Sequence, residues 1–119
     1  MKGSYLGPMH KQEDIERELK VCGAKFNEIS EEEMIEITAT ALSKENAVGW
    51  IQGRMEFGPR SLGGRSILAD PRSEKMQKTL NLKVKFRESF RPFAPSVLSE
   101  DLSDWFNLNC DSPYMLLVS

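Results

Sequence analysis

Only two cysteines, Cys22 and Cys110, and one histidine, His10, occur in 119 residues. They lie far apart with no Cys-x-x-Cys pair, which excludes a zinc site of the usual composition. So few, widely separated thiols make a reducing, cytoplasmic setting the default expectation. No stretch approaches the ~20 consecutive apolar residues of a membrane span, and no signal-peptide pattern opens the chain. Internal repeats and low-complexity segments are lacking too. Residues 96–119 hold no Lys or Arg, against four acidic groups. Basic charge is concentrated instead in residues 51–95, with ten basic and four acidic side chains. Residues 1–50 carry six basic and ten acidic ones, for an overall formal charge of −2. A basic centre between acidic flanks suggests a local anion site rather than a general affinity for nucleic acid or an anionic membrane.

What is present suits one folded domain. The chain is 39% hydrophobic and 29% charged, which is neither a disordered tail nor a membrane protein. A chain of this length buries roughly two-thirds of the surface it exposes when unfolded. Residues 3–9 read as an opening loop. Ile15, Leu19 and Cys22 recur at helical spacing, so a helix is expected from Lys11 to Val21, stopped by Gly23. Phe26 to Ile29 is a short strand candidate. Ser30 and Glu33 form a capping-box pattern for a helix running to Ser43, with Met34, Ile35, Ile37, Ala41 and Leu42 as its buried stripe. Ala47–Ile51 and Ile67–Ala69 read as strands. Pro71 and Ser73 open a helix carrying Met76, Leu80 and Val84. Strands are expected again over Phe93–Leu98 and Tyr114–Val118, with a short acidic helical turn at 101–106. Alternating helices and strands argue for an α/β or α+β layered fold. The last strand has no turn or cap after it, so the sheet reads as unfinished, with an edge for a second copy to cover.

Two stretches hold the candidate chemistry. Residues 52–66, QGRMEFGPRSLGGRS, contain four Gly and three Arg, at 54, 60 and 65. Guanidinium groups recognise planar phosphates and carboxylates, and glycines let backbone N–H groups approach an anion. Alternatively, these Arg pair with Glu56, Asp70 and the acidic flanks. The loop is neither a Walker A nor a Rossmann fingerprint, since no GK[ST] or GxGxxG occurs. The second stretch is NLKVKFRESFRPFAPSVL, residues 81–98. On a strand, Lys83, Lys85 and Arg87 would share one face and Val84 and Phe86 the other. Composition alone favours ordinary solvated lysines there. Glu56 and Glu88 are expected in salt bridges with neighbouring Arg. No nucleophile–base constellation is visible: His10 sits in a near-terminal loop, and nothing marks Ser66 or Ser96 as activated.

These motifs carry a resemblance. GWIQGRMEFGPRSLGGRSILADPR, then NLKVKFRESFRPFAPSVL, then SPYML, with YLGP near the start, closely resemble the nodulation and antibiotic-modifying carbamoyltransferases (NodU/CmcH type). The likeness runs from Tyr5 to Leu116, over the C-terminal domain of that family. It implies a YrdC-like fold: a twisted mixed sheet flanked by helices, incomplete at its C-terminal end, with residues 1–119 forming a single partial domain. It implies ATP and carbamoyl phosphate as substrates and carbamoyl adenylate as product. Mg²⁺ would accompany the nucleotide, with no metal site within this chain. Lys85 and Arg87 would neutralise the phosphates and the adenylate, and Arg54 would contact carbamoyl or phosphate oxygens, making these three the catalytic set. Arg60, Arg65, Ser66 and Arg91 would line the binding site. Transfer to a hydroxyl acceptor belongs to a metal-binding N-terminal domain that this chain lacks. Where the family commonly reads PRALGNRS, this chain has Ser61 and Gly64, and Gly64 is expected to loosen the loop. Two other readings stand beside this one. One is an inactive nucleotide- or anion-binding module. The other is a double-stranded RNA-binding fragment, which a pI near 5.5 and the acidic flanks oppose. The central expectation is that residues 54–65 and 85–91 meet around one pocket for anions.

Overall fold

A computed structural model describes residues 3–119. Helix α1 spans Gln12–Val21 and α2 spans Glu31–Ser43. Strands β1 (Val48–Ile51) and β2 (Arg65–Leu68) follow. Then come α3 (Met76–Thr79), a π-helical turn over Leu80–Val84, a 3₁₀ turn over Ser99–Asp101 and α4 (Leu102–Trp105).

Both long helices start and stop where their end residues dictate. Gly23, at φ +69°, takes the left-handed position after α1. Ala24 N–H then reaches back to Leu19 O at 2.9 Å and Gly23 N–H to Lys20 O at 3.2 Å, closing the orphan carbonyls of the last turn. Ser30 Oγ accepts the Glu33 N–H at 3.2 Å, and Glu31, Glu32 and Glu33 sit in the positive first turn of α2. The same left-handed stop ends α2 at Glu45, φ +60°, with Asn46 N–H on Ala41 O at 3.1 Å.

The sheet is smaller than expected. β1 and β2 pair antiparallel, Val48 opposite Leu68 and Ile51 opposite Arg65. Gln52 N–H to Gly64 O, 3.0 Å, extends the ladder by one bond. The Gly-rich stretch is thus the connection of a hairpin, and its last two residues belong to β2. Phe26–Ile29, Phe93–Leu98 and Tyr114–Val118 form no strand. They hold apolar residues at strand-like spacing but have no ladder partner among the described residues, and spacing without a partner leaves the backbone irregular. Tyr114–Val118, expected as the last strand of the sheet, is irregular backbone instead. Lys83–Arg87 is not a strand either. Lys83 and Val84 lie in the π turn, Lys85 caps it, and Phe86 turns left-handed.

Burial is sparse. Met76 and Leu80, 5% and 4% exposed, are the buried apolar side chains among the described residues. The stripe on α2 is only partly covered: Met34, Ala41 and Leu42 are half-buried, whereas Ile35 and Ile37 are exposed. The accessible surface is 10018 Å², against about 6,500 Å² for a compact monomer of this mass. No helix among the described residues is long and apolar enough to cross a membrane.

Candidate functional site

Glu56 organises the Gly-rich hairpin. Its Oε1 accepts three backbone N–H groups: Leu62 at 2.8 Å, Gly64 at 2.7 Å and Arg65 at 3.1 Å. The side chain is 7% exposed. Burial works against the charge, but the N–H groups of Leu62, Glu56 itself, Arg65 and Gly64 outweigh it and hold the carboxyl down at about 2. Gly64 is what lets the turn close. A Cβ there would stand 2.8 Å from Arg54 O and 3.2 Å from the Glu56 carboxylate. Far from loosening the loop, Gly64 permits its tightest contact.

The amino-terminal segment straps this loop in place. Gly7 N–H donates to Met55 O at 2.9 Å, Met55 N–H to Pro8 O at 3.0 Å and Phe57 N–H to Ser4 O at 2.6 Å. Tyr5 Oη donates to Leu62 O at 2.5 Å. Nothing in local spacing announced this pairing; the Tyr-Leu-Gly-Pro motif was the visible trace of it.

The hairpin cations fall into two groups. Arg65 is spent on structure: Nη1 donates to the carbonyls of Gly64 (2.7 Å), Gln52 (3.1 Å) and Gly53 (3.3 Å). Ser66 Oγ likewise accepts Gly63 N–H at 3.1 Å. Arg54 donates once, to Leu6 O at 3.3 Å, and Arg60 makes no hydrogen bond or ion pair with any described residue. The expected pairing of these Arg with Glu56 and Asp70 does not form. Glu56 is held by backbone, and Asp70 grips Arg72 through both oxygens, Nε to Oδ1 at 2.9 Å and Nη2 to Oδ2 at 2.5 Å.

The second cluster is built on Asn81, which sequence reasoning passed over. It is fully buried. Nδ2 donates to Ser89 O (3.1 Å) and Arg91 O (2.8 Å), and Oδ1 accepts Arg87 Nε at 2.7 Å. Arg87 also lies over the Phe93 ring, 5.0 Å from its centroid. Both terminal nitrogens of Arg87 remain without a hydrogen bond to any described residue. Arg91 is tied to Glu88 at 2.8 Å, the one expected carboxylate–Arg bridge that forms. Lys85 has no side-chain partner among the described residues.

No hydrogen bond or ion pair joins residues 54–65 to residues 85–91 among the described residues. Two open depressions lie elsewhere, one along residues 103–109 and one on the second half of α2 and the turn after it, from Glu36 to Asn46. No three His, Cys, Asp or Glu side chains among the described residues converge as metal ligands.

Known proteins match over the same stretches. The family described as carbamoyltransferase C-terminus matches residues 39–119. An uncharacterized Synechocystis protein, sll1178, is 55% identical over 121 aligned positions, covering 100% of this chain and 20% of that one. Nodulation protein NolO of Bradyrhizobium diazoefficiens is 43% identical over 87% of this chain and 19% of its own length. The 3'-hydroxymethylcephem-O-carbamoyltransferase of Streptomyces clavuligerus is 45% identical over 66% of this chain and 15% of its own. The chain thus spans about a fifth or less of these curated relatives. Hairpin, Asn81 cluster and Tyr114 all fall within the matched region, and the chain belongs to the carbamoyltransferase C-terminus family.

Proposed function

We propose that this chain is the part of an O-carbamoyltransferase that binds ATP and carbamoyl phosphate and forms carbamoyl adenylate. Water releases inorganic phosphate from carbamoyl phosphate. A carbamate oxygen then attacks the α-phosphorus of ATP, and pyrophosphate leaves. Transfer of the carbamoyl group to a hydroxyl acceptor belongs to a metal-binding partner domain.

The pairing pattern of the charges carries this reading. The carboxylates nearest the cations are committed: Glu56 to backbone, Asp70 to Arg72 and Glu88 to Arg91. Arg54, Arg60 and Lys85 form no ion pair with any described carboxylate, and the terminal nitrogens of Arg87 make no hydrogen bond to a described residue, although Glu88 next to it feels the Arg87 charge. Of these, Arg87 is held by Asn81 and Phe93 and Arg54 by the Leu6 carbonyl; such fixed donors suit a polyanionic substrate, since charge developing on oxygen meets them. The similarity to an O-carbamoyltransferase of Streptomyces clavuligerus supports the carbamoyl-transfer part of this reading. Mg²⁺ would arrive with the nucleotide.

Calorimetry with ATP and with carbamoyl phosphate, followed by a pyrophosphate-release assay, tests the proposal. Binding of both with release of pyrophosphate is the expected result. Binding without release would make the chain an anion- or nucleotide-binding module. Failure to bind either ligand would reject the reading. Salt-sensitive affinity for double-stranded RNA would replace it.

A further inference from the structure

Three helical segments end in a left-handed residue: Gly23 at φ +69°, Glu45 at +60° and Phe86 at +51°. Glycine suits that position because it has no Cβ to clash. A bulky aromatic there is a true outlier, and such outliers persist only where the surroundings over-determine them. Phe86 meets that condition. Lys85 N–H bonds Leu80 O at 2.8 Å and Arg87 N–H bonds Asn81 O at 2.9 Å, pinning the backbone on both sides. Yet the ring earns no packing for the strain, since Phe86 is 84% exposed.

The neighbours give the exposed ring a chemical context. Lys85 precedes it without a side-chain partner among the described residues. Arg87 follows it, its Nε fixed by Asn81 and its plane over Phe93, with two terminal nitrogens that make no hydrogen bond to any described residue. An exposed flat apolar face flanked in the chain by two cations, Arg87 held by Asn81 and Phe93 and Lys85 without a side-chain partner among the described residues, matches a ligand with an aromatic base at one end and phosphates at the other. We propose that Phe86 is the stacking platform for the base of a nucleoside triphosphate whose phosphates meet Lys85 and Arg87. This rests on the nucleotide reading above and adds to it the place of the base. Every nucleobase has a π-face, so stacking confers affinity without demanding adenine.

The strain supplies a clean test. Phe86→Gly removes the ring and relieves the backbone, so the variant folds at least as stably as the parent by thermal melting. ATP affinity of the full chain is expected to fall about tenfold or more in Phe86→Gly and to be retained in Phe86→Tyr, with tripolyphosphate affinity unchanged in both. Equal ATP affinity in parent and Phe86→Gly would overturn the platform while leaving the anion site standing. Equal affinity of the parent for ATP and tripolyphosphate would do the same. A parent chain that binds neither would end both readings.

Discussion

At the scale of single residues, Glu56 and Gly64 decide whether the hairpin closes. Gly64→Ala forces a methyl against Arg54 O and the Glu56 carboxylate, so a loss of about 1–3 kcal/mol in urea unfolding is expected. Glu56→Ala strands three N–H groups and is expected to cost about 3 kcal/mol by the same measurement. Glu56 is ionised in the fold down to about 2, below its ordinary 4.5. Its stabilisation is therefore complete above pH 4.5 and is lost as pH falls from there toward 2. Asp70, also near 2 because of Arg72, steepens the same acid limb. In Glu56→Gln that limb should flatten relative to the parent, and an unchanged acid profile would show that Glu56 is not its source. Composition places Glu56 beside three Arg and suggests ion pairs. Its actual partners are main-chain N–H groups, which every residue type but proline supplies. No pattern of side chains can reveal such a partner.

Helices α1 and α2 and strand β1 were legible because their signals are local: Gly23, the Ser30–Glu33 cap and the compact Val-Gly-Trp-Ile run. Lys83–Arg87 misled for the opposite reason. Its alternation of charged and apolar residues has the period of a strand, but the backbone there obeys Leu80 and Asn81, five and six residues back. Asn81 also holds residues 89 and 91 from its buried position, so the turn and the segment after it form one unit. Asn81→Ala is expected to release that unit. Trypsin should cut after Lys85 or Arg87 about tenfold faster than in the parent, with local opening easier by about 1.4 kcal/mol. Unchanged cleavage would mean that Met76 and Leu80 alone hold the turn. The sequence reading located both basic stretches and their family likeness, whereas the contacts that shape each stretch run between residues too distant for spacing to show.

For the whole molecule, the deciding quantity is area. An unfolded chain of 13.5 kDa exposes about 19,600 Å², and a compact fold would keep about 6,500 Å² of it. This chain keeps 10018 Å² and has a radius of gyration of 16.3 Å, against about 13.5 Å for a compact domain of its length. Since the urea m-value follows the area uncovered on unfolding, it should be about a quarter lower than for a compact domain of equal length. A normal m-value would show that the chain is more closed in solution. The strap from Ser4 to Pro8 adds a mechanical corollary. It is bonded to residues 55 and 57, its Tyr5 hydroxyl holds Leu62, and Gly3 N–H reaches the Tyr114 hydroxyl at 3.0 Å. A pull or twist applied at Gly3 is therefore delivered straight to the arginine-bearing hairpin, and anything that grips the first few residues gains a handle on it.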